Sequence, residues 1–265
     1  MSDACTLRYA ALSDRGLVRP QNEDSVYAGP RLLAVADGVG GAAAGEVASA
    51  LAIHAVAPLD ELEIADPVLA LRDAVAAASQ LIAESVEADP ARTGMGTTLT
   101  ALLLAGGTLA LAHAGDSRAY VLSDGEFSQI TRDDTYVQWL VDEGCISEEE
   151  ADTHPHRSVV TRVLQGSAVE PTLEQREARA GDRYLVCSDG LPAAVSDEAI
   201  AAVLREVPGV QACAAKLVEL ALAGGAPDNV TVAVADVATD ESATGGDPAV
   251  GVAEVPADGP AELAV

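Results

Sequence analysis

Four aspartates of this chain stand where apolar runs end or begin. Asp37 follows LLAVA and precedes Gly38, Asp116 follows LALAHAG and precedes Ser117, Asp189 follows YLVCS and precedes Gly190, and Asp228 precedes Asn229 and the run VTVAV. Three of the four lie beside a glycine, and a residue without a Cβ lets backbone carbonyls approach a ligand closely. Asp-Gly and Asp-Asn are also ordinary turn dipeptides. If the strand ends converge, however, the carboxylates come within a few ångströms of one another. Two like charges at ~4 Å repel by about 4 kcal/mol at an effective dielectric of ~20. Such a cluster takes up protons or binds cations. Oxygen donors without His or Cys in the same motifs select hard ions such as Mg²⁺ or Mn²⁺.

A fifth segment carries complementary chemistry. Residues 13–25 read SDRGLVRPQNEDS, so Arg19 is followed by Pro20 and then by Asn22, Glu23 and Asp24. An arginine near acidic metal-site residues is what a phosphoryl substrate needs. Cations neutralise some phosphate oxygens, and the planar guanidinium takes two others in a fork. A solvated loop carrying an ion pair would have the same composition.

Strands must position these residues. LLAVAD (32–37) is a short apolar run between Pro30 and Gly38, which predicts a buried strand. Arg183–Cys187 and Val230–Ala235 predict two more. Thr98–Ala105 and Thr108–Ala114 predict a hairpin joined by Gly106-Gly107, and Arg118–Leu122 with Glu126–Ile130 predict a second, turning at Ser123-Asp124-Gly125. Helices are expected over Gly45–Val56, from the Asp66 cap and Pro67 to about Ala88, and over Asp197–Glu206 and Val210–Ala223. In the second of these Leu71, Val75, Ala78, Ile82 and Val86 recur at helical spacing. Residues 131–168 are more polar and carry Trp139, with a capping-box pair, Ser147 and Glu150, opening a short helix. Tight turns between neighbouring strands favour antiparallel sheets, and helices in pairs between them favour an α+β layered architecture. No internal repeat is visible.

Composition sets the bounds. The 265 residues are 49% hydrophobic, enough to bury a sizeable core in about one domain. Fifteen Lys and Arg against 42 Asp and Glu give a formal charge of −27, and Lys216 is the sole lysine. That balance argues against nucleic acid and against an anionic membrane surface. Aromatic residues at 3% argue against a base-stacking platform. The longest apolar stretch, LTALLLAGGTLALAHAG, is interrupted by a turn signal and falls short of a bilayer span. The N-terminus has no cationic region leading an apolar one, so no signal peptide is expected. Cys5, Cys145, Cys187 and Cys213 are scattered without a CxxC pair, which argues against disulfides and a zinc site. A cytoplasmic protein is expected. From Ala238 to Val265 there are six acids, no base and no aromatic, with Pro248, Pro256 and Pro260 interspersed. That composition predicts a disordered acidic tail over 238–265 after a domain of residues 1–237.

Taken in order, SDRGLVRPQNEDS, VADGVGG, AAGEVAS, GMGTTLTA, GDSRAY, HPHRSVVTR, CSDGL and PDNVT resemble the metal-dependent protein Ser/Thr phosphatases, the PPM or type 2C family, and its bacterial members above all. The likeness runs over nearly all of residues 6–237. It implies a four-layer αββα sandwich, two antiparallel β-sheets flanked by helices, with a centre of two to three Mn²⁺ or Mg²⁺ ions at one end. By motif position Asp37 would bridge two ions, Asp189 and Asp228 would bind the first, and the Gly38 carbonyl the second, with Glu23 reaching it through water. Asp116 and Asp189 would hold a third. Asp24 would orient a water, and Arg19 would hold the substrate phosphate. The implied reaction is attack of a metal-bridging water on phosphoserine or phosphothreonine. Phosphorylated proteins, substrates of Ser/Thr kinases and the kinases themselves, would be the partners. Residues 131–168 correspond to a flap that influences substrate choice.

This chain departs from the family pattern in places. Val39 stands where many members have a His proposed as the leaving-group acid, which leaves that acid unassigned. Ala42 stands where close relatives often have His. Membrane anchoring, present after the catalytic domain in some bacterial relatives, is not expected beside an acidic tail. Among other readings, a GDS-type esterase with Ser117 as nucleophile lacks a late histidine, since none follows His156. Cys187 as a tyrosine-phosphatase nucleophile lacks the following arginine. His154 and His156 as metal ligands compete with a place on the flap surface. A phosphatase of a single regulator, such as an anti-anti-sigma factor, and an inactive binding module of the same fold remain as alternatives. The second would be marked by loss of the metal aspartates, which are present here.

Overall fold

Strand β3 shows how the apolar runs are used. In this computed structural model, which describes residues 5–40, 44–239 and 249–251, Leu32, Ala34 and Ala36 face a helical layer while Leu33 and Val35 face a second sheet. Both faces are buried, so the strand is apolar at every position rather than alternating.

In chain order the described strands are β1 (Cys5–Asp14), β2 (Asp24–Ala28), β3 (Leu32–Val39), β4 (Gly96–Thr97), β5 (Leu99–Ala105), β6 (Thr108–Ala114), β7 (Arg118–Ser123), β8 (Glu126–Gln129), β9 (Thr172–Glu177), β10 (Arg183–Cys187), β11 (Val230–Thr239) and β12 (Ala249–Gly251). The helices are α1 (Gly45–Val56), α2 (Pro67–Ala88), α3 (Tyr136–Asp142), α4 (Glu148–Asp152), α5 (Gly190–Ala194), α6 (Asp197–Glu206) and α7 (Val210–Ala223). One sheet runs β1-β11-β10-β7-β8 and the other β12-β2-β3-β5-β6-β9, with β4 paired to the end of β3. All these pairings are antiparallel.

Three apolar layers separate four structural ones. Leu33, Val35, Leu102 and Leu109 of one sheet meet Val121, Tyr184, Val186 and Ala235 of the other between the sheets. Helices α1 and α2 cover the outer face of the β3 sheet through Ala52, Ile53, Leu71 and Ile82. Helices α5, α6 and α7 cover the outer face of the β10 sheet through Leu191, Ile200, Leu204 and Leu217. This is the α+β sandwich expected from the turns and helix pairs.

The local signals act as expected at both hairpins and at the α2 cap. Gly106 and Gly107 have φ of +56° and +82°, and Asp124 and Gly125 have +50° and +85°, the twist that suits two-residue turns. The Asp66 side chain accepts the Leu69 N–H, and Pro67 occupies the first helical position. Strands β1, β2, β4, β9 and β12 and helices α3 and α5 are not among the expected elements. Strand β11 continues to Thr239, beyond the expected domain end at Val237, because Cys5 of β1 pairs there. Of the acidic tail, Ala249–Gly251 pairs with Ala28–Val26 at the edge of β2. The tail acids, Asp240 to Glu262, and Ala42 lie outside the described residues. Among the described residues no helix is long and apolar enough to cross a membrane.

Candidate metal centre

The two sheets end together at one pole, and strand periodicity delivers carboxylates there. Side chains two apart share a strand face. Leu33 and Val35 point between the sheets, so Asp37 follows them at the rim. Val26 of β2 points the same way, and Asp24, two residues earlier, stands directly opposite Asp37 in the register. The Asp37 backbone is pinned on its other side. Its N–H donates to Thr98 Oγ1 at 3.0 Å, and its carbonyl accepts from the Thr98 N–H and from Thr97 Oγ1, both at 2.9 Å.

The second sheet brings Asp189 and Asp228. Ser188, at the end of β10, donates from Oγ to Asp24 Oδ2 at 2.7 Å and accepts the Thr231 N–H at 3.0 Å. Asp189 follows it, near enough to Asp37 for each to act on the other. Asp228 accepts from Arg19 Nη2 at 2.5 Å and from the Asn229 N–H at 2.9 Å. Asn229 ties the 13–25 segment into place: its Nδ2 donates to the carbonyls of Arg15 and Gln21, and its Oδ1 accepts the Glu23 N–H. This junction is tight. A Cβ on Gly190 would lie 1.9 Å from the Asn229 carbonyl oxygen, and one on Gly16, whose φ is +74°, 2.1 Å from that of Asp228.

Glu23 and Gly38 form a neighbouring corner. The Gly38 N–H donates to the Glu23 carbonyl at 3.2 Å. A Cβ on Gly38 would sit 2.2 Å from the carbonyl oxygen of Gly45, at the start of α1. Asp116 lies at the end of β6, 8% exposed. It is followed by Ser117, whose Oγ is 2.8 Å from Thr98 Oγ1. The base of the 131–168 segment is fastened here. Gly115 and Asp134 exchange hydrogen bonds, Gly115 N–H to Asp134 Oδ2 at 3.0 Å and Asp134 N–H to the Gly115 carbonyl at 2.7 Å. Arg162 Nη1 also donates to Asp134, and Asp133 is bound by Arg118.

Burial and crowding raise Glu23, Asp24, Asp37, Asp116 and Asp189 above the ordinary carboxylate range. Burial, then the charges of Asp189 and Asp228, push Asp24 up to about 7 against opposing hydrogen bonds from Thr231 and Ser188. Burial, then Asp189 and Asp133, push Asp116 up to about 7. Burial, then Asp228, push Asp189 up to about 6. Asp37 is raised well above the usual carboxylate range by burial and by Asp24, Asp189, Asp116 and Asp228. Glu23 is raised by burial and then by Glu46. Arg19 stays firmly charged: burial opposes the charge, and Asp228, Asp37 and Glu23 outweigh it.

This arrangement fits divalent cations. The donors are all oxygens, the carboxylates repel one another, and Asp24 Oδ1 and Asp189 Oδ1 are buried with no hydrogen-bond partner. Among the described residues no group of three or more His, Cys, Asp or Glu side chains is already drawn together closely enough to hold a metal ion. The pole therefore offers an acid cluster rather than a finished polyhedron.

The pole thus gathers the residues singled out from the sequence: Asp24, Asp37, Asp116, Asp189, Asp228, Glu23, Gly38 and Arg19. It also uses residues the sequence reading did not single out, namely Glu46, Thr98, Ser188, Asn229, Asp133 and Asp134. Asn229 adjoins Asp228 in PDNVT, so its motif was the available signal. The alternative nucleophiles have other employment. Cys187 is fully buried in the α5–α7 layer, and burial pushes its thiol up. Ser117 is buried on Thr98. His154 and His156 lie on Tyr136 in the flap, with ring centroids 6.2 and 6.1 Å from its own.

Comparison with known proteins agrees with this geometry. The family model for protein phosphatase 2C matches residues 21–220. The serine/threonine protein phosphatase PstP of Mycobacterium tuberculosis is 63% identical over 232 residues, 87% of this chain and 45% of PstP. The chain therefore spans about half the length of that relative. A putative protein phosphatase 2C-type of Streptococcus pyogenes is 31% identical over 238 residues, 86% of this chain and 96% of that protein. The crystal structure of the PstP catalytic domain in complex with two manganese ions superposes with a TM-score of 0.84 at 60% identity, covering 89% of this chain and all of that one. An acid cluster at the pole of an αββα sandwich and a family match over most of its length lead to one conclusion: the chain belongs to the protein phosphatase 2C family.

Proposed function

We propose that the chain is a protein serine/threonine phosphatase that hydrolyses phosphoserine and phosphothreonine with two to three Mn²⁺ or Mg²⁺ ions. The observation that carries this reading is the meeting of Asp24, Asp37, Asp116, Asp189 and Asp228 at one pole beside the Arg19 guanidinium. Asp37, Asp189 and Asp228 would hold cations directly, Asp116 would join Asp189 at a further one, and the Gly38 carbonyl and Glu23 would serve another. Bound there, such ions supply charge neutralisation, polarisation of phosphoryl oxygens and a water acidic enough to attack phosphorus.

The chain's own residues do the rest. Arg19 is half exposed, and its Nη2 donates to Asp228 Oδ2. Trading that carboxylate for two phosphate oxygens orients the substrate and stabilises charge on its equatorial oxygens. Ser188 occupies Asp24 Oδ2 and leaves Oδ1 without a partner, which supports Asp24 as the residue that would orient the attacking water. Thr97 and Thr98 fix the Asp37 backbone, which keeps its carboxylate at the rim.

On this reading the partners are phosphoproteins made by Ser/Thr kinases, and the kinases themselves, in the cytoplasm. The charge of −27 disfavours nucleic acid as a substrate. The test is hydrolysis of p-nitrophenyl phosphate and of a phosphothreonine peptide. Turnover is expected with Mn²⁺ or Mg²⁺ and should stop on adding EDTA. Undiminished turnover after exhaustive chelation rejects the reading.

A further inference from the structure

Glu46 is a buried acid that the mechanism above does not use. It sits in the first turn of α1, its side chain is among the buried polar groups at 4% exposure, and its Oε2 has no hydrogen-bond partner. A buried carboxylate oxygen without a partner is expensive unless something else satisfies it. The helix N-terminus favours the charge but leaves Oε2 unbonded.

The surroundings indicate what that something is. The start of α1 is clamped onto the Glu23 and Gly38 corner. Ser49 Oγ donates to the Glu23 carbonyl at 2.6 Å. A Cβ on Gly45 would lie 2.9 Å from Glu23 Oε1, and one on Gly38 would lie 2.2 Å from the Gly45 carbonyl oxygen. The Glu46 carboxylate is the strongest charge acting to raise Glu23, after burial itself. Two acids thus share a corner with a close-approaching backbone. A neutral hydrogen-bond partner would satisfy Oε2 and leave the repulsion standing. A hydrated cation satisfies both, because small hard divalent ions keep several waters that donate to surrounding carboxylates.

We infer that Glu46 is an outer carboxylate for the cation served by Glu23 and the Gly38 carbonyl, receiving that ion's waters and setting its affinity. The inference rests on the reading of the pole as a cation site. Outer partners of this kind typically change metal affinity by about 10- to 100-fold.

The test is calorimetric titration of the whole metal-free chain with MnCl₂, together with its melting temperature before metal is added. Glu46→Gln keeps the shape and removes the charge. One binding step is expected to weaken about tenfold while the others stay as in the parent. The metal-free variant should melt no lower than the parent, since a repulsion has been relieved. Unchanged affinity at every step overturns the inference. So does a general weakening accompanied by a lower metal-free melting temperature, which marks a structural role. If Glu46→Gln does not fold, Glu46→Asp, which withdraws the carboxylate by one methylene, is titrated with the same two outcomes. A parent chain that takes up no Mn²⁺ rejects the cation reading of the whole pole. A parent that binds Mn²⁺ as Glu46→Gln does rejects only the role of Glu46.

Discussion

Asp24 and Asp37 stand directly opposite one another on β2 and β3. Like charges in that relation destabilise a strand pair, and here the pair is also buried and joined by Asp189 and Asp228 across the sheets. The pole is a place where the fold stores electrostatic repulsion, and the stored repulsion has measurable consequences.

The first concerns pH. Asp24 and Asp116 are pushed up to about 7 and Asp189 to about 6. Between the ordinary carboxylate range near ~4 and about 7 the folded chain keeps protons that the unfolded chain releases. Its stability is therefore full at the acidic end of that window and is lost as pH rises through it. In EDTA the melting temperature should fall from about pH 5 to about pH 8, and Mn²⁺ at pH 8 should restore it. Asp37→Asn, with one charge removed, should flatten the slope and raise the metal-free melting temperature at pH 8. Each kcal/mol relieved corresponds to about 2–4 °C in a chain of this size. A metal-free melting temperature that climbs with pH over the same range would contradict the account.

The second concerns how two residues divide the kinetics. Asp37→Asn should reduce kcat at least ~10²-fold at saturating Mn²⁺, because it alters the group at the centre of the cluster. Arg19→Ala should instead raise KM for a phosphopeptide about 10- to 100-fold, the loss of charge-assisted hydrogen bonds to phosphate, with a much smaller change in kcat. Steady-state kinetics separate the two. An Arg19→Ala enzyme with parental KM would remove Arg19 from substrate binding.

The third concerns the backbone under the site. A methyl group on Gly190 would meet the Asn229 carbonyl oxygen at 1.9 Å, whereas one on Gly125 would meet open space, though at a φ of +85°. Gly125→Ala should therefore lose only the local conformational preference, about 1 kcal/mol. Gly190→Ala should lose more, about 1–3 kcal/mol or beyond, and should also weaken Mn²⁺ binding, since Asn229 holds the Glu23 backbone. Thermal melts and a Mn²⁺ titration of both variants decide it. Equal losses would show that the 188–190 turn has room to move.

Much of this architecture was legible because it is written in local patterns. The LLAVA and RYLVC runs announce strands buried on both faces. The Asp66-Pro67 pair announces the start of α2, and Gly106-Gly107 a hairpin. The elements that escaped have weaker signatures. In β1 only Leu7 and Ala10 are buried, and Arg8 reaches Asp236 of the neighbouring strand, so no clean alternation is visible. Strand β2 is five residues long and begins inside the acidic NED motif. Helix α3 is capped by Thr135, which accepts the Gln138 N–H, a signal easily lost in a polar segment.

The sequence by itself determined that aspartates sit at the ends of apolar runs and that an arginine accompanies acids near the N-terminus. These facts depend on residue type and on periods of two and of 3.6, which any short window contains. Only the tertiary structure decided which ends meet. Arg19 and Asp228 are 209 positions apart and Ser188 and Asp24 are 164 apart. Strand register is set by burying whole faces against distant partners, and a slip of one residue would turn Asp37 away from the rim. Glu46 makes the same point. Its letter says only that it is an acid, and the packing of α1 buries that acid and leaves its Oε2 without a hydrogen-bond partner.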